Sequence, residues 1–317
     1  MREAAVRVGR FVAVPHADVA GVAGTAGRLS GRGFRVVETP HFVHCQRRPG
    51  GQAVVLHTFS ESSIDEDVSP MVGEELGALG VIASPREYGE LLFAIVASTC
   101  PSALDCPDCG RLHLDQTAIW RHFSLNTLAR LRRRLAAPGR DGDSHTAVFA
   151  AIYSRILECR VGDSLLDVGS NLGHLPVLLS ELAPEVAVAG CDNRHESIAC
   201  CVELAAVTGA SVTFRLADVL APDFAEIGRF DTVTAVHVLE HLAENVLPLA
   251  LANLLAVTGR RLMVAVPYET PPRPLYGHRQ AFTPAKLRAW GEWCVETRAA
   301  GGFRCEVVGD GFLVIDR

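Results

Sequence analysis

The chain has 317 residues, enough for one large domain or two smaller ones with a sizeable buried core. Apolar residues make up 49% of it, yet no apolar run nears the length of a membrane span, so a soluble chain with no membrane partner is expected. The net charge is −6, and Lys286 is the single lysine among 30 basic residues, which disfavours a general nucleic-acid binder while leaving room for a local basic patch.

At the N-terminus, Glu3 interrupts a short segment that lacks a long apolar core and a cleavage site, so no secretory signal is read. Ten cysteines without such a signal point to reduced thiols and a cytoplasmic location. Residues 11–14 form a strand candidate, and the runs 34–45 and 53–59 read as two strands of a hairpin turning at Arg47-Arg48-Pro49-Gly50-Gly51. Residues 74–79 and 87–98 have helical character. His41, His44 and His57 fall on the two predicted hairpin strands. They either converge on one site or are ordinary polar residues of a half-exposed sheet.

The stretch that follows carries Cys106-Pro107-Asp108-Cys109-Gly110, which has the shape of a zinc knuckle because such a turn aims two thiolates at one metal. Cys100 and His113 complete a candidate set of four ligands. Structural zinc sites usually pair two knuckles and the second is missing, so free cysteines in a turn are the alternative. Residues 116–135 have helical periodicity, with Leu125, Leu128, Leu131 and Leu135 on one face. The interleaved run Arg130-Leu131-Arg132-Arg133-Arg134 could meet phosphate, or could be the solvated face that amphipathicity demands. Residues 136–144, with Pro138, Gly139 and Gly142, are the best linker candidate. This places an accessory domain with its Cys-rich segment at 1–140 and a second domain at 141–317, the latter opening with a helix over 146–159 capped by Asp143 or Ser144.

The second domain is organised around residues 164–174: an apolar run ending in Asp167, a glycine-bearing turn, and an amphipathic segment over 175–182. Strand, tight turn and helix open a nucleotide-binding βαβ unit, in which glycine permits positive φ and lets a small molecule approach bare backbone. The dinucleotide fingerprint G-x-G-x-x-G is not met, because Asn171 and His174 occupy its second and third glycine positions counted from Gly169. The spacing that fits is Asp-x-Gly-x-Asn-x-Gly, from Asp167 to Gly173. A second apolar strand over 186–191 ends in Asp192, where an acid accepts hydrogen bonds from ribose hydroxyls. A third over 211–217 ends in Asp218-Val219, and a fourth over 230–236 runs into His237-Val238-Leu239-Glu240-His241-Leu242.

In their order and spacing these segments resemble the motifs of class I S-adenosylmethionine-dependent methyltransferases. The resemblance implies an α/β fold with a Rossmann-like sheet and S-adenosylmethionine as cofactor. It further implies that the turn of Asp167, Gly169, Ser170, Asn171 and Gly173 wraps the methionine end, and that Asp218, with Val219, faces the adenine amino group. The segment after the fourth strand, with His237, then lines the methyl-transfer site, and the helix over 146–159 covers the cofactor pocket. Asn171 departs from the commoner glycine, but asparagine tolerates the left-handed region.

Further on, a helix over 244–256 and a strand over 261–267 precede the proline-rich loop 268–280, which follows a strand's carboxyl end and is the natural substrate loop. His278 before Phe282-Thr283 resembles the same loop of small-molecule methyltransferases. Thr283 caps a helix over 284–293, and residues 305–308 and 312–315 form an antiparallel hairpin turning at Gly309-Asp310-Gly311. The expected architecture is therefore a mostly parallel sheet closed by a C-terminal antiparallel hairpin, beside a smaller N-terminal α/β domain.

Methyl transfer is an in-line displacement that needs alignment, and an alcohol acceptor also needs a base. The candidate catalytic residues are His237, His241 and His278, with His278 in the substrate loop the first choice. His237 and His241 share a helix face with Glu240 beside them, a spacing that could hold a metal or could serve packing and cofactor contact. The Asn/Asp-Pro-Pro-Tyr segment of many amino-group methyltransferases is absent where His237 to Leu242 stands, which leans away from DNA adenine and protein glutamine, and the tyrosine- and arginine-bearing loop favours a small-molecule or sugar hydroxyl as acceptor. An extra N-terminal domain ahead of this core also resembles the layout of actinobacterial glycan methyltransferases, such as that acting on the mycofactocin oligosaccharide. Two other readings stay open: an RNA base methyltransferase with an N-terminal zinc module, and a non-catalytic cofactor-binding protein.

Overall fold

The computed structural model describes residues 5–100, 115–137, 144–298 and 301–317. By contacts the chain divides into a first unit, Met1–Thr127 with Pro274–Tyr276, and a second, Leu128–Arg273 with Gly277–Arg317.

The first unit is built on β1 (Val6–Val8), β2 (Phe11–Pro15), α1 (Val19–Ser30), β3 (Arg35–Glu38), β4 (Phe42–Gln46), β5 (Ala53–His57), α2 (Val68–Met71) and α3 (Pro85–Ser98). Its sheet runs β1-β2-β5-β4-β3. β2 and β5 are parallel and the other neighbours antiparallel, so β4 and β5 form the expected hairpin, with Gln46 opposite Ala53. Asp18 starts α1 by accepting the Gly21 amide at 2.7 Å, and Ser84 starts α3 by accepting that of Glu87, with Pro85 supplying the preset first-turn φ. Val22 and Ala26 of α1 pack with Val14, Cys45 and Leu56.

The reading of 34–45 as one strand is corrected: it is two, β3 and β4, folded back on each other. Pro40 cannot donate to a ladder, and Thr39 closes the turn by giving its amide to the Phe42 carbonyl at 2.8 Å. β1 was not anticipated, and the helix expected at 74–79 falls within a longer stretch in which α2 continues as a π turn over Val72–Leu76.

The second unit takes the end of α4 (Gln116–Ala136), then α5 (His145–Cys159), β6 (Ser164–Val168), α6 (His174–Leu182), β7 (Ala187–Asp192), α7 (His195–Thr208), β8 (Val212–Leu216), β9 (Phe230–Val236), α8 (Leu247–Val257), β10 (Thr258–Val266), α9 (Pro284–Arg298), β11 (Gly302–Val308) and β12 (Asp310–Asp316). The sheet order is β11-β12-β10-β9-β6-β7-β8. β6 to β10 are parallel, and β12 runs antiparallel to both β10 and β11. The inner strands read as unbroken apolar runs because both sheet faces are covered: Leu165, Leu166, Val233, Ala235 and Leu262 have no exposed surface.

Two features position the site. The chain winds outward from β6 through β7 to β8, then returns to place β9 on the other side of β6, so the sheet has its switch point at the carboxyl end of β6. β12, running the opposite way, begins at Asp310 beside the carboxyl end of β10, where Val266 faces Gly311. In α4, Arg134 is buried and donates to Thr146 at 2.9 Å and Ser144 at 2.8 Å, while Arg132 is paired with Glu181, so these two arginines serve the second unit's own packing. Ser144 stands at the start of α5 without a side-chain cap bond; Asp143 lies outside the described residues.

Candidate functional site

The turn after β6 is clamped onto β7. The amides of Gly169 and Ser170 both donate to the Cys191 carbonyl, at 2.8 and 2.9 Å, and the Asn171 amide donates to Asp192 Oδ2 at 3.0 Å. Gly169, Asn171 and Gly173 all have positive φ, of 79°, 49° and 82°. The two glycines and the asparagine therefore stand where an ordinary side chain would be strained. A Cβ on Gly173 would also press on Cys201 and Phe214.

Asp167 is buried beneath the turn, where it accepts the Thr234 hydroxyl at 2.8 Å. Burial pushes its carboxyl up to about 7, against the opposing hydrogen bonds of Thr234 and Ser170. Asp192 ends β7 and also accepts the Arg194 amide at 3.0 Å, which fixes its carboxylate at the sheet's edge. Asp218 follows β8 with an exposed side chain, its Oδ1 accepting the Leu220 amide at 2.9 Å, and Val219 beside it is buried. The structure thus gathers Asp167, Gly169, Ser170, Asn171, Gly173, Asp192 and Asp218 at the carboxyl ends of three neighbouring strands.

The second cluster is built from segments after β9 and β10 and from the start of β12. His237 has φ 53°, again left-handed, and its ring Nε2 donates to Asp310 Oδ2 at 2.9 Å with Nδ1 3.8 Å from Glu240. Burial alone would lower the imidazole pKa, but the Asp310 hydrogen bond with the Glu240, Asp310 and Glu269 charges outweighs it, and the pKa is raised. The Phe149 ring of α5 lies 5.1 Å from that of His237. His278 Nδ1 donates to Glu269 Oε1 at 2.7 Å, and its ring meets that of His241 edge-on at 5.0 Å. Burial, then His278, lowers the pKa of His241. Glu240 has no exposed surface, and burial pushes its carboxyl up to about 7.

His237, His241 and His278 are thus brought to one side of the sheet, but the Nε2 of His237 is committed to Asp310. Glu269 and Asp310 were missed as site residues. Asp310 is visible in the sequence as a turn residue and Glu269 as a loop acid, and neither position carries a signal of the histidine it holds.

Of the proposed zinc ligands, Cys106, Cys109 and His113 lie outside the described residues. Cys100 is buried, and burial raises its thiol pKa. The three hairpin histidines have different polar partners, although the rings of His41 and His57 both lie against Phe59. His41 lies in the turn between β3 and β4 and pairs with Glu75 at 2.5 Å, His57 bonds Ser98 at 3.0 Å, and His44 is buried on β4.

Residues 165–260 match a family described as methyltransferase domain. Over that span the chain carries a methyltransferase domain. The matched span holds the turn, Asp192, Asp218, His237, Glu240 and His241, while Glu269, His278 and Asp310 lie beyond it. The chain is 32% identical over 114 residues to a demethylmenaquinone methyltransferase from Thermus thermophilus, a match that covers 36% of this chain and 50% of that one. The chain thus spans half the length of that relative. Among solved structures the methyltransferase domain is similar to magnesium protoporphyrin IX methyltransferase from Synechocystis PCC 6803 (17% identity, 64% of this chain and 100% of that one, TM-score 0.43). It is also similar to the methyltransferase domain of a bacterial Hen1 (17% identity, 60% and 100%, TM-score 0.44). Among the described residues no helix is long and apolar enough to cross a membrane.

Proposed function

We propose that the chain transfers a methyl group from S-adenosylmethionine to a hydroxyl of a small molecule or sugar, with the mycofactocin oligosaccharide one such acceptor. The observation that carries this reading is the clamped turn: positive φ at Gly169, Asn171 and Gly173 folds a tight turn at the switch point, with the Asp192 carboxylate held against the Asn171 amide. These residues fit the cofactor. The turn from Gly169 to Gly173 would take its methionine end, Asp192 would accept from its ribose hydroxyls, and Asp218, exposed after β8, would face the adenine amino group beside Val219. S-adenosylmethionine supplies, when bound, a methyl carried on a sulfonium.

His237, held by Asp310 through its Nε2 at 2.9 Å, ties the start of β12 to the segment after β9. His241 and His278 receive the acceptor hydroxyl. Glu269 fixes the His278 ring by accepting a hydrogen bond from its Nδ1, which leaves the other ring nitrogen for the acceptor side. Arg132 and Arg134, engaged with Glu181, Thr146 and Ser144, speak against an RNA-binding stripe on α4.

The test is incubation of the full chain with S-adenosylmethionine carrying a labelled methyl and a panel of small alcohols, glycosides and a short RNA. Label on an alcohol or sugar oxygen is expected. Label on RNA alone contradicts the acceptor class.

A further inference from the structure

We propose that Glu240, His241 and His278 bind one divalent transition-metal ion. One carboxylate oxygen and one ring nitrogen from each histidine already lie within 4.8 Å of one another. Ligands about 2.1 Å from a common ion sit roughly 3.4 Å apart, so small side-chain rotations close the set.

The strongest sign is Glu240 itself. It is wholly buried, and neither carboxylate oxygen has a hydrogen-bond partner among the described residues; the His237 ring nitrogen stands off at 3.8 Å. A buried carboxylate without a partner is costly, and either a proton or a cation must answer it. The surroundings favour a cation. Besides the Glu240 carboxylate, that of Glu269 holds His278 at 2.7 Å and that of Asp310 holds His237 at 2.9 Å, so three carboxylates gather around the ligand set.

The histidines are set for ligation. His278 Nδ1 donates a hydrogen bond to Glu269 at 2.7 Å, and His241 Nδ1 lies 3.3 Å from the Gly277 carbonyl. With Nδ1 donating, Nε2 holds the lone pair, which is the carboxylate–histidine–metal arrangement that orients metal-binding imidazoles. The two segments that carry the ligands are also laced together. The Arg279 amide donates to the Glu240 carbonyl at 2.8 Å, and the Gln280 side chain donates to the carbonyls of Leu239 and Leu242 at 3.0 and 2.8 Å. Their relative position is therefore fixed before any ion arrives.

Two imidazoles and one carboxylate suit manganese, iron, cobalt or zinc better than calcium or magnesium, which prefer oxygen alone. Three protein ligands leave positions for an oxygen donor on the side where His241 is exposed. The inference deepens the proposed reaction in one respect: the acceptor hydroxyl that the histidine pair receives would meet the ion, which lowers the pKa of a bound hydroxyl. That role rests on the proposed function; the binding itself does not.

The test is titration of chelator-stripped full chain with Mn2+, followed by the electron paramagnetic resonance of the free ion. Mn2+ avoids thiolates, so the cysteine-rich segment does not compete. One ion per chain is expected, with affinity at least about tenfold weaker in Glu240→Gln and in His241→Ala, the latter an exposed position that spares folding. The inference is overturned by the absence of saturable Mn2+ binding, or by binding that neither substitution changes. Chain that binds S-adenosylhomocysteine but no Mn2+ loses this inference alone, whereas chain that binds Mn2+ at these residues but no S-adenosylhomocysteine loses the proposed function alone.

Discussion

Gly169 and Val238 approach so closely that a Cβ on the glycine would stand 2.5 Å from Val238 Cγ2. The turn after β6 and the segment carrying His237 and Glu240 are thus in direct contact, and a side chain at 169 must push the second to remain in the first. Gly169→Ala is expected to destabilise the second unit by about 1–3 kcal/mol, from positive φ and the clash together, and to weaken S-adenosylhomocysteine binding. Urea unfolding and calorimetry read both effects. Adding Val238→Ala relieves the clash and leaves the φ strain, so partial recovery is predicted.

Glu269 holds His278, which the proposed function places beside the acceptor. Glu269→Gln keeps the shape but removes the carboxylate that accepts the Nδ1 hydrogen bond at 2.7 Å. The methyl-transfer rate should fall at least about tenfold while affinity for S-adenosylhomocysteine is unchanged, because Glu269 has no part in the turn after β6. An equal loss in both would make its role structural.

His57 makes the first unit acid-sensitive. Burial, aided by His16, lowers its pKa from 6.5 to about 3, so the folded chain resists a proton that the unfolded chain accepts. Its contribution to stability is fully present above pH 6.5 and is lost as pH falls from there toward 3, with a slope approaching about 1.4 kcal/mol per pH unit. Urea midpoints of the first unit measured across that window should show the slope, and His57→Gln should flatten it. An unchanged slope in the variant contradicts the assignment.

Arg155 of α5 holds Glu306 of β11 through two bonds, of 2.7 and 2.8 Å. The pair is partly buried, and the Arg155 hydrogen bond, ahead of opposing burial, draws the Glu306 pKa down. Glu306→Gln should cost about 1 kcal/mol, less at high salt, and Arg155→Lys should not preserve the wild-type value because an ammonium cannot make the paired contact. Thermal unfolding at two salt concentrations checks both.

The turn and the parallel strands were legible because each is local. A buried strand is an apolar run, and a turn that needs positive φ shows Gly169, Asn171 and Gly173. The His241–His278 ring contact and the His237–Asp310 pair were not legible, because they come from different segments that only the sheet order makes neighbours. β10 lies between β9 and β12, and the reversed direction of β12 brings Asp310 to the same end as His237 and Glu269. In the first unit the run 34–45 was misread as one strand because apolar residues flank Pro40 on both sides, and the turn bond from Thr39 to Phe42 has no signal in composition.

The most direct test of the account is calorimetric titration of the full chain with S-adenosylmethionine and S-adenosylhomocysteine, repeated on Asp192→Ala. Saturable binding of one molecule per chain, lost or strongly weakened in the variant, is the predicted result. A folded chain that binds neither molecule, or binds both equally well without the Asp192 carboxylate, contradicts the cofactor site proposed at the turn after β6.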